Sequence, residues 1–262
     1  MKKLLTYFWY LFEYLKHGDF RSVIASINYL LFRKSHKKDR IIQTSTGKFY
    51  CRKQTNDFQF ANFRYEWGVK RFMLDRISDF NVFVDGGACT GEYGVWLSQQ
   101  SIRCIAFEPV QNNYETILKN LELNGLSEKI TALPFGLGDR NMKVNFAFNP
   151  VNTGSSHITS STEGSQFSSE IRTFDSFLPE LNINIDDRIL FKLDVEGMEA
   201  EVINGAADFI RKFPNILFIL EVKHSGRERV IEALNTLAVF EIGDVDEYNI
   251  FAKKINNHPI IT

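Results

Sequence analysis

From Asn81 onward, short apolar runs alternate with amphipathic stretches. NVFVD (81–85) reads as a short buried strand, with a helix after Gly91. IRCIAFE (102–108) and KITALPF (129–135) are the next strands, separated by a helix over Gln111–Leu123, and MKVNFAF (142–148) follows as a hairpin-like strand. RILFKLD (188–194) is a fourth parallel strand, followed by a helix through Val202, and ILFILEV (216–222) is a fifth. A helix near Arg227–Leu237 and strands at AVFEIG (238–243) and YNIFAK (248–253) close the series. This alternation predicts right-handed crossovers and a doubly wound, mainly parallel α/β sheet. Ligands on such sheets bind beyond the carboxyl ends of the strands, near the switch point. The residues that end each strand are therefore the candidates for chemistry.

Upstream, the pattern changes. Leu4, Phe8, Phe12 and Leu15 recur on one face of a helix, with Tyr7, Tyr10 and Tyr14 as a neighbouring stripe. The apolar run is far shorter than the ~20 residues needed to span a bilayer, and it lacks the small-residue cleavage site of a signal peptide. Gly18 ends this helix, Asp19 caps the next, and Val23, Ile27, Leu30 and Leu31 repeat at helical spacing before the basic stretch Arg33–Arg40. A hairpin is expected at IIQT, STG and KFYCRK (41–53), and Asp57–Ile77 reads as helical. The expected division is an N-terminal extension over 1–56 and a catalytic domain over 57–262. NTGSSHITSSTEGSQFSS (152–169) reads as a long loop.

Charge sharpens this division. Residues 1–53 carry twelve Lys or Arg against three Asp or Glu, a balance of +9; the chain's net −1 leaves −10 for the rest. A basic arm on an acidic domain has two readings. It lies on a membrane surface as a peripheral contact, or it packs on the domain or on a second subunit as a homo-oligomer. The acidic remainder would repel nucleic-acid phosphates. The three cysteines, Cys51, Cys89 and Cys104, show no metal spacing and fit reduced thiols in the cytoplasm. The 24 phenylalanines read as core content.

The first strand ends in Asp85-Gly-Gly-Ala-Cys-Thr-Gly91. Gly86, Gly87 and Gly91 permit a tight turn and, with Ala88, close approach of a ligand to backbone. The spacing is not Gly-x-Gly-x-x-Gly, and Asp85 at the lip would repel a pyrophosphate. A carboxylate there suits a cation, such as the ammonium of a methionine moiety; otherwise it caps the turn. Glu108, 21 residues beyond Gly87, ends the second strand where an acid accepts hydrogen bonds from ribose hydroxyls. Phe135, followed by Gly136, either covers an adenine or belongs to the core. In Lys192-Leu-Asp194-Val-Glu196-Gly197-Met-Glu199, alternation puts Lys192, Asp194 and Glu196 on one side, where ionisable groups are costly unless paired or working. Glu199 suits a helix N-terminus. Beyond the fifth strand, His224 is a general-base candidate, with Glu221 to orient it or Asp194 to act instead. The same carboxylates with His224 are a conceivable divalent-metal set.

Together these residues resemble the FkbM family of methyltransferases. The shared marks are the glycine turn 85–91, Glu108-Pro109, Gly138-Asp139, Thr173-Phe-Asp175-Ser-Phe, and above all Phe191-Lys-Leu-Asp-Val-Glu-Gly197. Glu199, Asn204-Gly205-Ala206 and Glu221-Val follow in order, so the likeness runs from about Asp57 to His224. It implies a class I, Rossmann-like fold, S-adenosylmethionine as donor, and O-methylation of sugars or natural products. Under it, Asp85, the 86–91 turn and Glu108 hold the donor, while Asp194, Glu196 and His224 face a hydroxyl-bearing small molecule or glycan. Two departures stand out. The family usually has Asn where Cys89 stands, and its Glu-Val is often followed directly by His, whereas Lys223 intervenes here. A nicotinamide-dependent oxidoreductase and a non-catalytic module of the same fold are the alternatives.

Overall fold

A computed structural model describes residues 2–147, 153–154, 157–158 and 166–257. Seven strands form the central sheet: β1 (Val82–Gly86), β2 (Arg103–Phe107), β3 (Ile130–Leu133), β4 (Ile189–Leu193), β5 (Ile216–Glu221), β6 (Ala238–Asp244) and β7 (Asn249–Asn257). Their spatial order is β6-β7-β5-β4-β1-β2-β3. β1 to β5 pair in parallel, and β7 runs antiparallel to both β5 and β6. Strand order reverses between β1 and β4, so their carboxyl ends form the switch point.

β1 and β4 are buried along their whole length, which explains their continuous apolar runs. Side-chain alternation divides them between two cores. Val82, Val84, Phe191 and Leu193 enter a phenylalanine-rich core, where the Phe174 ring lies 6.0 Å from Phe107, 5.0 Å from Phe191 and 4.8 Å from Phe209. Phe83 and Leu190 enter the opposite core with Tyr93, Phe58 and Phe49. By the same period of two, Asp85 and Lys192, which are register partners, share the edge of that second face.

The N-terminal segment completes the second core. The expected boundary at 56/57 does not interrupt packing, since Tyr14, Tyr29 and Ile42 join the cluster that includes Phe83 and Ile219. Helices α1 (Lys2–Lys16) and α2 (Phe20–Phe32) flank the hairpin Arg40–Thr44/Gly47–Cys51. Asn120 accepts the Tyr50 N–H at 2.7 Å and Asn124 accepts the Lys48 N–H at 2.9 Å, covering the hairpin's free edge. Expected helix 57–77 is two helices, Asp57–Phe60 and Trp67–Leu74, broken where Glu66 takes φ 49°. Expected loop 152–169 is partly sheet. Gln166–Arg172 pairs antiparallel with Met142–Ala147, which also pairs with His157–Ile158. The rest of that stretch, apart from Thr153 and Gly154, lies outside the described residues.

Candidate active site

At the switch point lies a cavity of about 680 Å³, within the ~300–1,000 Å³ usual for small-molecule sites. Six carboxylates line it: Glu66, Asp85, Glu92, Asp194, Glu196 and Glu221. Lys192, Lys223 and His224 are the basic lining residues. A smaller hollow shares Gly87, Cys89, Asp194 and Glu196 with it and extends to Glu108 and Gly136.

Gly87 is the pivot. It has φ 94°, and a Cβ there would lie 2.0 Å from the carbonyl oxygen of Asp194, so only glycine lets the turns after β1 and β4 meet. Ala88 also lines the cavity, whereas Gly86 packs on Leu193 and Gly91 caps the helix Glu92–Ser98 against Ile117. Asp85 is 2% exposed, and its Oδ1 has no hydrogen-bond partner. Burial pushes its pKa up to about 7, opposed by the nearby Lys192 ammonium. A buried carboxylate with an unpartnered oxygen on a cavity wall is costly unless a ligand or a counter-charge compensates it.

Glu108 is also buried. Its Oε2 accepts the Cys89 N–H at 2.8 Å and its Oε1 the Val110 N–H at 2.9 Å, while burial raises its pKa to about 7. Cys89 therefore engages Glu108 through its backbone. Its φ of 50° is a left-handed conformation that Asn tolerates better than Cys.

Lys192 donates to Asp194 at 2.9 Å. Burial works against the Lys192 charge, yet Asp194, Glu66 and Asp85 hold its pKa well above the ordinary lysine value. Glu196 adopts φ 52° and lies 3.5 Å from Nε2 of His224. Burial, then the Asp194 charge, raise Glu196 to about 7 and Glu221 to about 8. Glu199 does not face the cavity; its Oε1 accepts the Val195 N–H at 2.9 Å and shapes the turn after β4. Despite the intervening Lys223, the 222–226 turn brings His224 to the cavity.

Of the two readings of Phe135, its packing favours the core: it is 4% exposed, packs 5.1 Å from Phe177 and 5.5 Å from Phe107, and borders neither hollow. A metal set is not assembled: among the described residues no group of three or more His, Cys, Asp or Glu side chains has suitable geometry. The sequence reading missed one wall. Tyr65 and Glu66 project from the break between the two helices, with Glu66 accepting from the Tyr93 hydroxyl at 2.7 Å. Lys70 is wholly buried beneath them and donates to the Tyr65 carbonyl at 2.7 Å. A lysine among Val69, Phe72 and Met73 on a core-facing helix was the available signal.

The strand order and a glycine turn at the β1/β4 switch point define a class I, Rossmann-like methyltransferase fold. The methyltransferase FkbM domain matches residues 85–248, more than half of the chain, and the protein belongs to that family and is a methyltransferase. The match starts later and ends later than the likeness read from the motifs. "Methyltransferase 1" of Beauveria bassiana is 25% identical over 175 residues, covering 56% of this chain and 70% of that protein. The FkbM methyltransferase structure from Methylobacillus flagellatus is 17% identical with a TM-score of 0.49, covering 75% of this chain and 53% of that one. The chain thus spans about half the length of that structure. An O-methyltransferase from Bacillus cereus in complex with SAH is 10% identical with a TM-score of 0.39, over 72% of this chain and 80% of that one.

Proposed function

We propose that the protein transfers a methyl group from S-adenosylmethionine to a hydroxyl of a sugar, glycan or related metabolite, in the cytoplasm. The observation that carries the donor assignment is the carboxylate-rich cavity around Gly87, with the unpartnered Asp85 oxygen on its wall. Such a site favours a ligand bearing sulfonium and ammonium charges and opposes a dinucleotide pyrophosphate. The donor, when bound, supplies an electrophilic methyl carbon. Asp85 would hold the ammonium, and Glu108, which retains acceptor capacity beyond its backbone partners, the ribose.

Asp194, Glu196 and His224 would face the acceptor. The donor would supply a methyl carbon open to displacement from sulfur by the acceptor oxygen, and the Glu196–His224 pair, 3.5 Å apart, would take the hydroxyl proton. A carboxylate with a pKa of about 7 is matched to that task near neutral pH. Asp194, tied to Lys192, supplies fixed negative charge beside it. The free thiols fit a reducing compartment.

The test is methyl transfer from labelled S-adenosylmethionine to a panel of free sugars, glycans and amines, with product mass and linkage determined. O-methyl products support the reading; exclusive N-methylation, or turnover of NAD without methyl transfer, defeats it.

A further inference from the structure

The two N-terminal helices carry an apolar surface that the cavity does not use. In α1, Phe8, Phe12 and Leu15 recur at i, i+4 and i+7; in α2, Phe20, Ile24, Ile27 and Leu31 do the same over three turns. All seven are between 43% and 66% exposed. The faces turned to the domain carry Tyr14 and Tyr29 together with polar and small residues. Glu13 accepts the Ser45 N–H at 2.7 Å, and Ser22 and Ala25 face inward from α2. An amphipathic helix packed for water carries polar residues on the face opposite its core contacts, not rows of Phe, Ile and Leu. Large apolar surface left in the open marks an interaction site.

Charge identifies the occupant. Lys16, Arg21, Arg33, Lys34, Lys37 and Lys38 are all exposed, and Glu13 and Asp19 are turned inward to the hairpin and to Arg40. Residues 1–53 carry +9. A second copy of the chain would bring the same basic surface against itself across a two-fold axis. An anionic lipid surface neutralises it, and Tyr7 and Trp9, both exposed, are residue types at home at the headgroup level. No helix among the described residues is long and apolar enough to cross a membrane. We propose that α1 and α2 lie in the interface of an anionic phospholipid membrane, with the apolar stripes sunk towards the acyl chains and the lysines and arginines among the headgroups.

The arm is fastened to the cavity wall. Asn62 donates to the Tyr10 carbonyl at 2.9 Å, and the Arg64 guanidinium lies 5.4 Å from the Trp9 ring and 4.2 Å from that of Trp67, next to Tyr65 and Glu66. Docking would therefore bring the cavity towards a hydroxyl acceptor carried on a lipid. This consequence rests on the methyltransferase reading; the docking itself does not.

The full chain is sedimented with phosphatidylcholine vesicles, with and without phosphatidylglycerol, at low and high salt. The expected result is binding to the anionic vesicles, weakened by salt and reduced at least about tenfold in a Phe8→Glu, Ile27→Glu double variant. Calorimetry with S-adenosylhomocysteine accompanies it. Vesicle binding without nucleoside binding sinks the methyltransferase reading and leaves docking standing. Nucleoside binding without vesicle binding overturns docking. So does a lipid-free dimer in analytical ultracentrifugation that the double variant splits.

Discussion

The β1 wall and the β4/β5 wall of the cavity both present carboxylates, but they hold them differently. Asp85, Glu92 and, in the adjoining hollow at the end of β2, Glu108 are 2%, 5% and 4% exposed, and burial is the main cause that pushes each to about 7, with neighbouring carboxylates adding to it at Asp85 and Glu92. Their contacts are fixed groups: backbone N–H for Glu108, and the Thr90 hydroxyl at 3.0 Å for Glu92. Across the cavity, Glu196 and Glu221 are partly exposed, and after burial the largest influence on each is the Asp194 charge. The first wall holds its carboxylates away from solvent among fixed groups; the second leaves them open to solvent and to the charges of their neighbours.

This contrast can be broken by substitution. Glu196→Gln should lower kcat by about 10²- to 10⁴-fold while leaving S-adenosylhomocysteine affinity unchanged, because only the proton-accepting wall is altered. Parallel loss of nucleoside binding would erase the distinction between the walls. Asp85→Asn should weaken S-adenosylmethionine binding about 10- to 100-fold, as expected for losing a charged partner. The same variant should melt at a higher temperature at pH 8. The sign follows from the raised pKa: a buried carboxyl near 7, against 3.8 for its ordinary value, favours the folded state while protonated and loses that contribution as pH rises through about 7. Removing the charge removes the loss, so ligand-free stability and ligand binding should move in opposite directions. The smallest effect is expected at Cys89→Asn, which relieves a left-handed non-glycine residue by up to about 1 kcal/mol and retains activity, read as a small rise in melting temperature.

Both walls were legible in the sequence: Asp85, Asp194, Glu196, Glu221 and His224 were all singled out there and all line the cavity, whereas Glu92 was not. Asp85 and Glu108 end apolar runs that have no other reading than buried strands, and period-two alternation places what ends a strand. The wall made by Tyr65 and Glu66 was hidden, because a helical pattern over 57–77 carries no mark of the break at Glu66; tertiary contacts from Tyr93 and Lys70 define it. The Ser/Thr-rich stretch 152–169 concealed strands because pairing with Met142–Ala147 is non-local. Phe135 could be read either way, and only its ring contacts to Phe107 and Phe177 decide for the core. Helical periodicity showed that α1 is amphipathic but not which face meets the domain. Tyr10 and Tyr14 of the stripe do, Tyr14 donating its hydroxyl to the Phe58 carbonyl, while Tyr7 stays exposed.

A buried acidic wall beside Gly87 is proposed to receive a cationic nucleoside. Calorimetric titration of S-adenosylmethionine at pH 6 and pH 8, with wild type and Asp85→Asn and with NAD as the comparison ligand, tests it most directly. Wild-type affinity should strengthen from pH 6 to pH 8 as Asp85 ionises near 7, the variant should lose the Asp85 share of that rise and keep the share of Glu92, Glu108, Glu196 and Glu221, and NAD should give no heat. Affinity that is indifferent to both pH and Asp85, or tighter binding of NAD, would contradict it.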